Sequence, residues 1–216
     1  MKKLILMVGL LVTLPSFAGV SANVGITSDY IWRGMTQSDG ISVSGGFDYE
    51  ADNGFYAGVW GANINWGYAT DDAGVLTDYG SGNEFDVYGG YANDNFDVGF
   101  IQYQYPGGTD LDFTEVYVGY TGLENFSIYY YDLATSDFES EFEDVVSDYL
   151  SLSYDLGSFS FSYGTYGDVG SDISISYSFS CGSFDCGLTY FDFSADEDAF
   201  DELEDNGVFF SISASL

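Results

Sequence analysis

The stretch Val208-Phe209-Phe210-Ser211-Ile212-Ser213-Ala214-Ser215-Leu216 closes the chain. Val208, Phe210, Ile212, Ala214 and Leu216 fall on one face, and Phe209, Ser211, Ser213 and Ser215 on the other. Alternation of period two marks a β-strand with one apolar and one polar side. No charged tail follows, so the strand is expected to belong to the finished structure. This is the pattern of the closing strand of an outer-membrane β-barrel, apolar toward lipid and small and polar toward the lumen.

The other end of the chain agrees with export. Lys2 and Lys3 precede an apolar run from Leu4 to Leu14, and Pro15 and Ser16-Phe17-Ala18 follow it. A basic start, a short apolar centre and a small-residue end make a cleavable secretory signal peptide, residues 1–18, too short to span a membrane as a helix. Cleavage is expected after Ala18, with Ala22 as the other candidate, leaving residues 19–216 as one barrel domain. No later segment approaches the ~18–20 consecutive apolar residues of a membrane helix.

Composition points the same way. Aromatic residues make up 19% of the chain, and Gly is 28 against Pro 2. Aromatic side chains suit pleated surfaces and form girdles at membrane interfaces. Scarce Pro is what a closed ladder requires, because each Pro removes a backbone donor. Mean hydropathy is only +0.01, as expected where lumen-facing polar residues dilute lipid-facing apolar ones.

Alternation and turn residues lay out a series of hairpins. A first strand, Val20 to Arg33, aligns Val24, Ile26, Tyr30 and Trp32 outward. The second sets Ile41, Val43, Phe47 and Tyr49 against Ser42, Ser44, Asp48 and Glu50, and Asp52-Asn53-Gly54 turns it. In the third, Phe55 to Trp66, either Tyr56/Trp60/Ile64 or Phe55/Ala57/Val59 can be the lipid face. A polar loop runs to Asn83, and the fourth strand sets Phe85, Val87, Gly89 and Tyr91 against Glu84, Asp86, Tyr88 and Gly90. Further strands are expected at Phe96–Tyr105, Phe113–Tyr120 and Phe126–Leu133. The eighth points Leu150, Leu152, Tyr154 and Leu156 outward, and Phe159, Phe161 and Tyr163 follow in the ninth. Ile173 to Phe179, Phe184 to Tyr190 and the closing stretch complete twelve, with ten as the rival count. Short turns alternate with long loops, as in bacterial outer-membrane barrels of Gram-negative cells.

Cys181 and Cys186 flank a predicted short turn, and by parity both continue outward faces. Residues on one face of a hairpin come within disulfide reach, and the periplasm is oxidising, so a disulfide is favoured over free thiols. Two cysteines without histidine make a poor metal site.

Acids number 35 against three basic residues, for a net charge of −32. Beyond the signal segment Arg33 stands alone, so no basic patch exists for nucleic acid. Two acidic clusters fall in predicted outer loops: Asp137, Glu139, Glu141, Glu143 and Asp144, and Asp196, Glu197, Asp198, Asp201, Glu202, Glu204 and Asp205. Neither has the spacing of an EF-hand loop. Phe138, Phe142, Val145 and Tyr149 recur at helical spacing, which allows a short loop helix. Both clusters read as solvated loops, with weak divalent-cation binding as the alternative.

By parity Asp29, Asp48, Glu50, Glu84, Asp86 and Glu115 face inward. Carboxylates in a narrow pore with low-dielectric walls concentrate cations and repel anions. The expectation is a porin-like channel for small solutes, cation-preferring. The alternative is a non-conducting structural or adhesion barrel, whose inward acids wet a closed interior and whose outer loops bind cations or partners. The absence of histidine removes Ser-His and Asp-His arrangements, and no phosphate-binding glycine loop opens a helix, so no enzyme, cofactor or metal site is expected. The partners expected are membrane lipid and small solutes or cations.

The segment Ser21 to Gly40, SANVGITSDYIWRGMTQSDG, followed by GGFDYE and GFYAGVWGANI, resembles the start of the TorF porin family of proteobacterial outer membranes. The likeness covers about the first third of the chain, with its core at Ser28 to Gly34, and TEVYVGY at Thr114 to Tyr120 is similar again. The resemblance implies an outer-membrane barrel with a porin role. The chain departs from the usual pattern of outer-membrane barrels in ending on Leu216 rather than an aromatic residue, and in its very low basic content. Within the core motif, Arg33 is expected to pair with an inward acid such as Asp29, or else to line a constriction or touch phosphate at the rim. Trp32 is expected to face outward as an interfacial anchor.

Overall fold

The computed structural model describes residues 19–38, 40–65, 68–70, 76–78, 82–108, 111–137, 148–167, 169–196 and 203–215. Among these, sixteen strands follow in chain order. The first eight are β1 (Gly19–Thr27), β2 (Ile31–Trp32), β3 (Met35–Thr36), β4 (Ser42–Glu50), β5 (Phe55–Asn63), β6 (Tyr68–Thr70), β7 (Leu76–Asp78) and β8 (Asn83–Ala92). The rest are β9 (Phe96–Gln104), β10 (Phe113–Leu123), β11 (Phe126–Ser136), β12 (Asp148–Leu156), β13 (Phe159–Thr165), β14 (Gly170–Cys181), β15 (Phe184–Ala195) and β16 (Asp205–Ser215).

Twelve of them close into one antiparallel barrel; β2–β3 and β6–β7 are separate two-stranded ribbons in the first two long loops. The barrel closes where β16 meets β1, with Ser215 opposite Asn23 and Ser211 opposite Thr27. Closure gives every barrel strand a hydrogen-bonded neighbour on both sides, the condition for crossing a bilayer with strands. The count is twelve, not ten.

The apolar parity points outward throughout. Val24, Ile26, Val43, Phe47, Val98, Phe100, Ile173, Ile175, Val208 and Phe210 are all exposed on the outside, as a lipid-facing surface requires. At the short-turn end Phe55 meets Tyr91 at 5.2 Å, Phe96 meets Tyr120 at 5.3 Å and Phe159 meets Tyr177 at 5.0 Å between ring centroids. These outward pairs form one aromatic girdle. Gly54, at φ +92°, supplies the left-handed residue of the turn between β4 and β5.

The third strand, which alternation left open, is settled by what each face meets. Tyr56, Trp60, Ala62 and Ile64 are buried inside, and Phe55 is exposed outside. The first strand is shorter than expected: β1 stops at Thr27, and the chain leaves the wall. Tyr149 belongs to β12 and points inward, rather than ending a loop helix. The rest of that helical reading (Phe138, Phe142, Val145) lies outside the described residues. So do Leu216, Trp66, residues 1–18 and most of the two acidic clusters.

Cys181 and Cys186 are joined by a disulfide with 5.9 Å between Cα atoms. They are diagonal rather than directly opposed: Cys181 faces Phe184 and Cys186 faces Phe179. Both sit on the outward face at the short-turn rim.

Two walls of different character line the lower lumen, nearer the short turns. From β5 to β11, tyrosine rings lie flat across glycines of the neighbouring strand. A Cβ at Gly58 would enter the Tyr88 ring, one at Gly99 would meet the Tyr117 hydroxyl and one at Gly119 the Tyr129 ring. From β12 to β16 the inward positions are small: Ser153, Ser162, Ser174, Ser176, Ser211 and Ser213 are half-buried.

Candidate functional site

Between β1 and β4, residues 30–38 turn into the barrel mouth instead of away from it. Their centre is the β2–β3 hairpin, with Ile31 opposite Thr36 and Trp32 opposite Met35. Its two-residue tip is Arg33-Gly34, at φ 49° and 81°, the left-handed pair that a tight hairpin of this kind needs. Glycine adopts that conformation freely, whereas an arginine there is strained by roughly 1–3 kcal/mol. The hairpin is fastened at its base: the Tyr30 N–H donates to Ser38 Oγ at 2.8 Å and the Gly40 N–H to Asp29 Oδ1 at 3.1 Å. The Thr36 N–H donates to Asp205 Oδ2 on β16 at 2.8 Å.

The tip stands in the lumen between β14–β15 on one side and β10 on the other. A Cβ on Gly34 would stand 2.7 Å from the Asp172 Cβ and 3.1 Å from the Phe193 Cβ, so only a glycine fits between the hairpin and β14–β15. Arg33 then reaches β10. Its two terminal nitrogens donate to the two carboxylate oxygens of Glu115 at 2.8 and 2.7 Å. The side chains of the pair are only 5% and 1% exposed. The guanidinium carbon lies 4.1 Å from the Tyr149 ring centroid, 4.5 Å from Trp32 and 4.7 Å from Tyr131. Tyr166 stands at 5.6 Å, with its hydroxyl 3.4 Å from Nη1.

A bidentate carboxylate and several ring faces replace the water that burial removes from a guanidinium. Burial works against the charge, but Glu115 together with the Tyr166 and Tyr103 hydroxyls outweighs it, and the Arg33 pKa stays well above its ordinary value. Glu115 also accepts from the Tyr103 hydroxyl at 3.2 Å. A register shift in β10–β11, with Thr114 opposite Thr135 but Glu115 opposite Leu133, falls beside this carboxylate. Bulges of that kind re-aim a side chain next to a site.

Other groups complete the upper layer. Tyr30 packs edge-on to Trp60 at 5.5 Å and donates to Glu84 Oε1 at 2.8 Å. Burial, with Glu84 and Asp86 nearby, pushes the Tyr30 phenol well above its usual range, so it remains a donor. Asp172 accepts from the Tyr149 hydroxyl at 2.7 Å. Asp86 Oδ1 and Trp60 Nε1, on residues directly opposed in the β5–β8 register, have no hydrogen-bond partner among the described residues.

A second layer sits nearer the short turns. The Tyr56 and Tyr129 hydroxyls donate to the two oxygens of Asp97 at 2.7 and 3.1 Å, and Tyr56 and Tyr117 share a hydrogen bond through their hydroxyls. Asp48 accepts from the Tyr88 hydroxyl and from Asn23 Nδ2.

The structure therefore gathers Glu84, Asp86 and Glu115 in the upper lumen and Asp48 in the lower one, all on the expected side. Glu50 lies half-buried at the short-turn end of β4, and Asp29 is taken up in fastening the loop base. Two expectations are corrected. Arg33 pairs with Glu115, not Asp29, because the chain leaves the strand after Thr27 and parity no longer relates residues 29 and 33. Trp32 does not anchor at the lipid interface: it packs inward at 6.0 Å from Tyr103 and 6.3 Å from Phe113. Sequence reasoning missed Asp97 and Asp172, although each lies on the polar parity of its strand. It also missed the cage tyrosines Tyr131, Tyr149 and Tyr166.

A barrel of this kind has known structural counterparts. Outer membrane phospholipase A from Escherichia coli superposes with a TM-score of 0.51 at 7% identity, over 90% of this chain and 88% of that one. The KdgM porin gives 0.49 at 9% identity over 90% and 97% of the two chains. A mutant of the Rh. blastica porin gives 0.45 at 12% identity over 93% and 75%. At these identities the likeness concerns the fold: a closed outer-membrane type barrel. No curated protein matches in sequence. The profile of one family, described as "Bacterial protein of unknown function (Gcw_chp)", matches residues 15–215. That match runs through every barrel strand and the inward hairpin, and the chain belongs to the Gcw_chp family.

Proposed function

We propose that the protein is a porin-like channel of the outer membrane for passive diffusion of small solutes, that it prefers cations, and that the β2–β3 hairpin forms its constriction. The observation that carries this reading is the charge balance of the lumen. Asp48, Glu84, Asp86, Asp97, Glu115 and Asp172 face inward at two levels, against the single guanidinium of Arg33, which Glu115 alone offsets. The half-buried serines of β12–β16 supply the small, polar wall along which a hydrated solute passes. Reconstitution in planar bilayers tests the reading. A salt gradient should give a reversal potential of cation-selective sign; anion preference, or no conductance, overturns it.

One observation favours the second reading, a non-conducting barrel. The hairpin and its cage leave Tyr149 at 1% and Tyr166 at 2% exposure, so the upper lumen is packed along that wall. Silent bilayers with a correctly folded barrel would establish this alternative.

Two finer readings accompany the proposal. The resemblance of Ser21 to Gly40 supports placing the chain with TorF porins, since the likeness centres on the very residues that form the inward hairpin. Cleavage of the signal peptide after Ala18, not Ala22, is supported by the ladder in which Gly19 to Ala22 pair with Glu50 to Phe47. Cleavage after Ala22 would remove four residues from that ladder.

A further inference from the structure

We infer that the wall groups clasping Arg33 are a receptor for a guanidinium or similar planar organic cation in solution, with Arg33 occupying it as a built-in stand-in. The inference rests on the channel reading and deepens it by naming a class of solute.

Of the groups around the guanidinium, only Trp32 travels with the hairpin. Glu115, Tyr103, Tyr131 and Tyr149 belong to wall strands and Tyr166 to the turn after β13, and contacts within the wall hold them in addition to those made by Trp32. Tyr103 stacks on Phe113 at 4.4 Å and bonds Glu115. Tyr149 is fixed by its bond to Asp172 and lies 4.6 Å from Tyr166. The box therefore keeps its shape when its present occupant leaves.

Its chemistry is selective. A carboxylate offering both oxygens matches the planar fork of a guanidinium, and ring faces favour a weakly hydrated, delocalised cation. A strongly hydrated alkali ion uses neither feature well.

The occupant sits on a strained tip, while the base of its hairpin is what is fastened, through Ser38, Asp29 and Asp205. The hairpin has two residue pairs and places Arg33 at a left-handed φ of 49°. Exchanging Arg33 for a free guanidinium restores its contacts with Glu115, Tyr131, Tyr149 and Tyr166 and gives up those made by Trp32. Tethering is the main advantage of Arg33, and short flexible tethers give effective concentrations on the order of millimolar. A cationic solute at comparable or higher concentration would thus displace the hairpin and open the constriction it passes.

Arg33 is the sole lysine or arginine beyond residue 3, so trypsin reports directly on its release. The refolded wild-type barrel should be cut after Arg33 slowly in sodium chloride. It should be cut several-fold faster in methylguanidinium chloride at the same ionic strength, roughly tens of millimolar, with the unfolded chain correcting for inhibition of the protease. Arg33→Ala, if it refolds to a heat-modifiable barrel, should bind methylguanidinium saturably by tyrosine fluorescence. Adding Glu115→Gln should weaken that binding about tenfold or more.

Where Arg33→Ala folds, its titration decides: absence of saturable binding, or equal binding with Glu115→Gln, overturns the inference. Where it does not fold, wild-type proteolysis decides, and equal cleavage in the two salts overturns it. Wild-type conductance separates the two readings. Binding with a silent bilayer removes the channel and leaves the receptor; conductance without binding does the reverse.

Discussion

A guanidinium and a carboxylate buried together depend on each other. Removing one partner of such a pair typically costs about 3–5 kcal/mol, because the survivor is left charged and unsolvated. Arg33→Gln and Glu115→Gln are each expected to lower barrel stability by that order, measured by urea unfolding from lipid vesicles. The double variant should lose clearly less than the sum, since neither charge is then stranded. A purely additive result would mean that the pair contributes nothing beyond its packing. The sequence singled out Arg33 simply because it is alone among so many acids. It expected an inward acid and offered Asp29 as the example, because Glu115 lies 82 positions away and no local pattern relates the two. Glu115 was nevertheless marked as inward, because its strand alternates.

At the scale of single elements, the hairpin and the wall strands invite different tests. Gly34→Ala would put a methyl into Asp172 and Phe193 and a left-handed φ on a residue that resists it. The hairpin should be displaced from its seat, raising single-channel conductance relative to wild type. Parity within one strand is checked by a pair of bulky substitutions on β14. Ser176→Trp fills the small-residue wall and should reduce conductance, whereas Ile175→Trp on the lipid face should leave it unchanged. Equal effects would overturn the assigned facing. The outward disulfide closes a short hairpin, for which chain entropy gives about 2 kcal/mol. Replacing both Cys181 and Cys186 by Ser should lower stability by no more than that, without altering conductance. The elements most legible beforehand were those with unbroken alternation, β4, β12 and β14. The least legible was the end of β1, where Tyr30 and Trp32 kept an apolar rhythm that belongs to a lumen hairpin.

For the whole molecule, the lower lumen carries the expected selectivity. Asp48 and Asp97 are held by tyrosine and asparagine donors that stay in place when the carboxylates become amides. Asp48→Asn with Asp97→Asn should reduce the cation preference several-fold by reversal potential while the barrel still folds, because field focusing scales with the fixed charge along the pore. An unchanged preference would move the selectivity to the outer loops. Such a result concerns the assembled lumen, since the two acids come from β4 and β9 and share no sequence neighbourhood.

The sequence by itself determined the closed barrel, its lipid face, its short-turn end and the cysteine pairing. Each follows from period-two alternation and turn chemistry, which are local and which a bilayer enforces on every strand. Only the tertiary structure decided what stands inside. Closing twelve strands brings β8, β10, β12 and β14 around one axis, and only then does the segment after Thr27 have a cavity to enter. The closing strand Val208 to Ser215 faces that interior with little more than serine and one phenylalanine. Its outward side reports the solvent, lipid, and its inward side depends on groups that closure alone brings near.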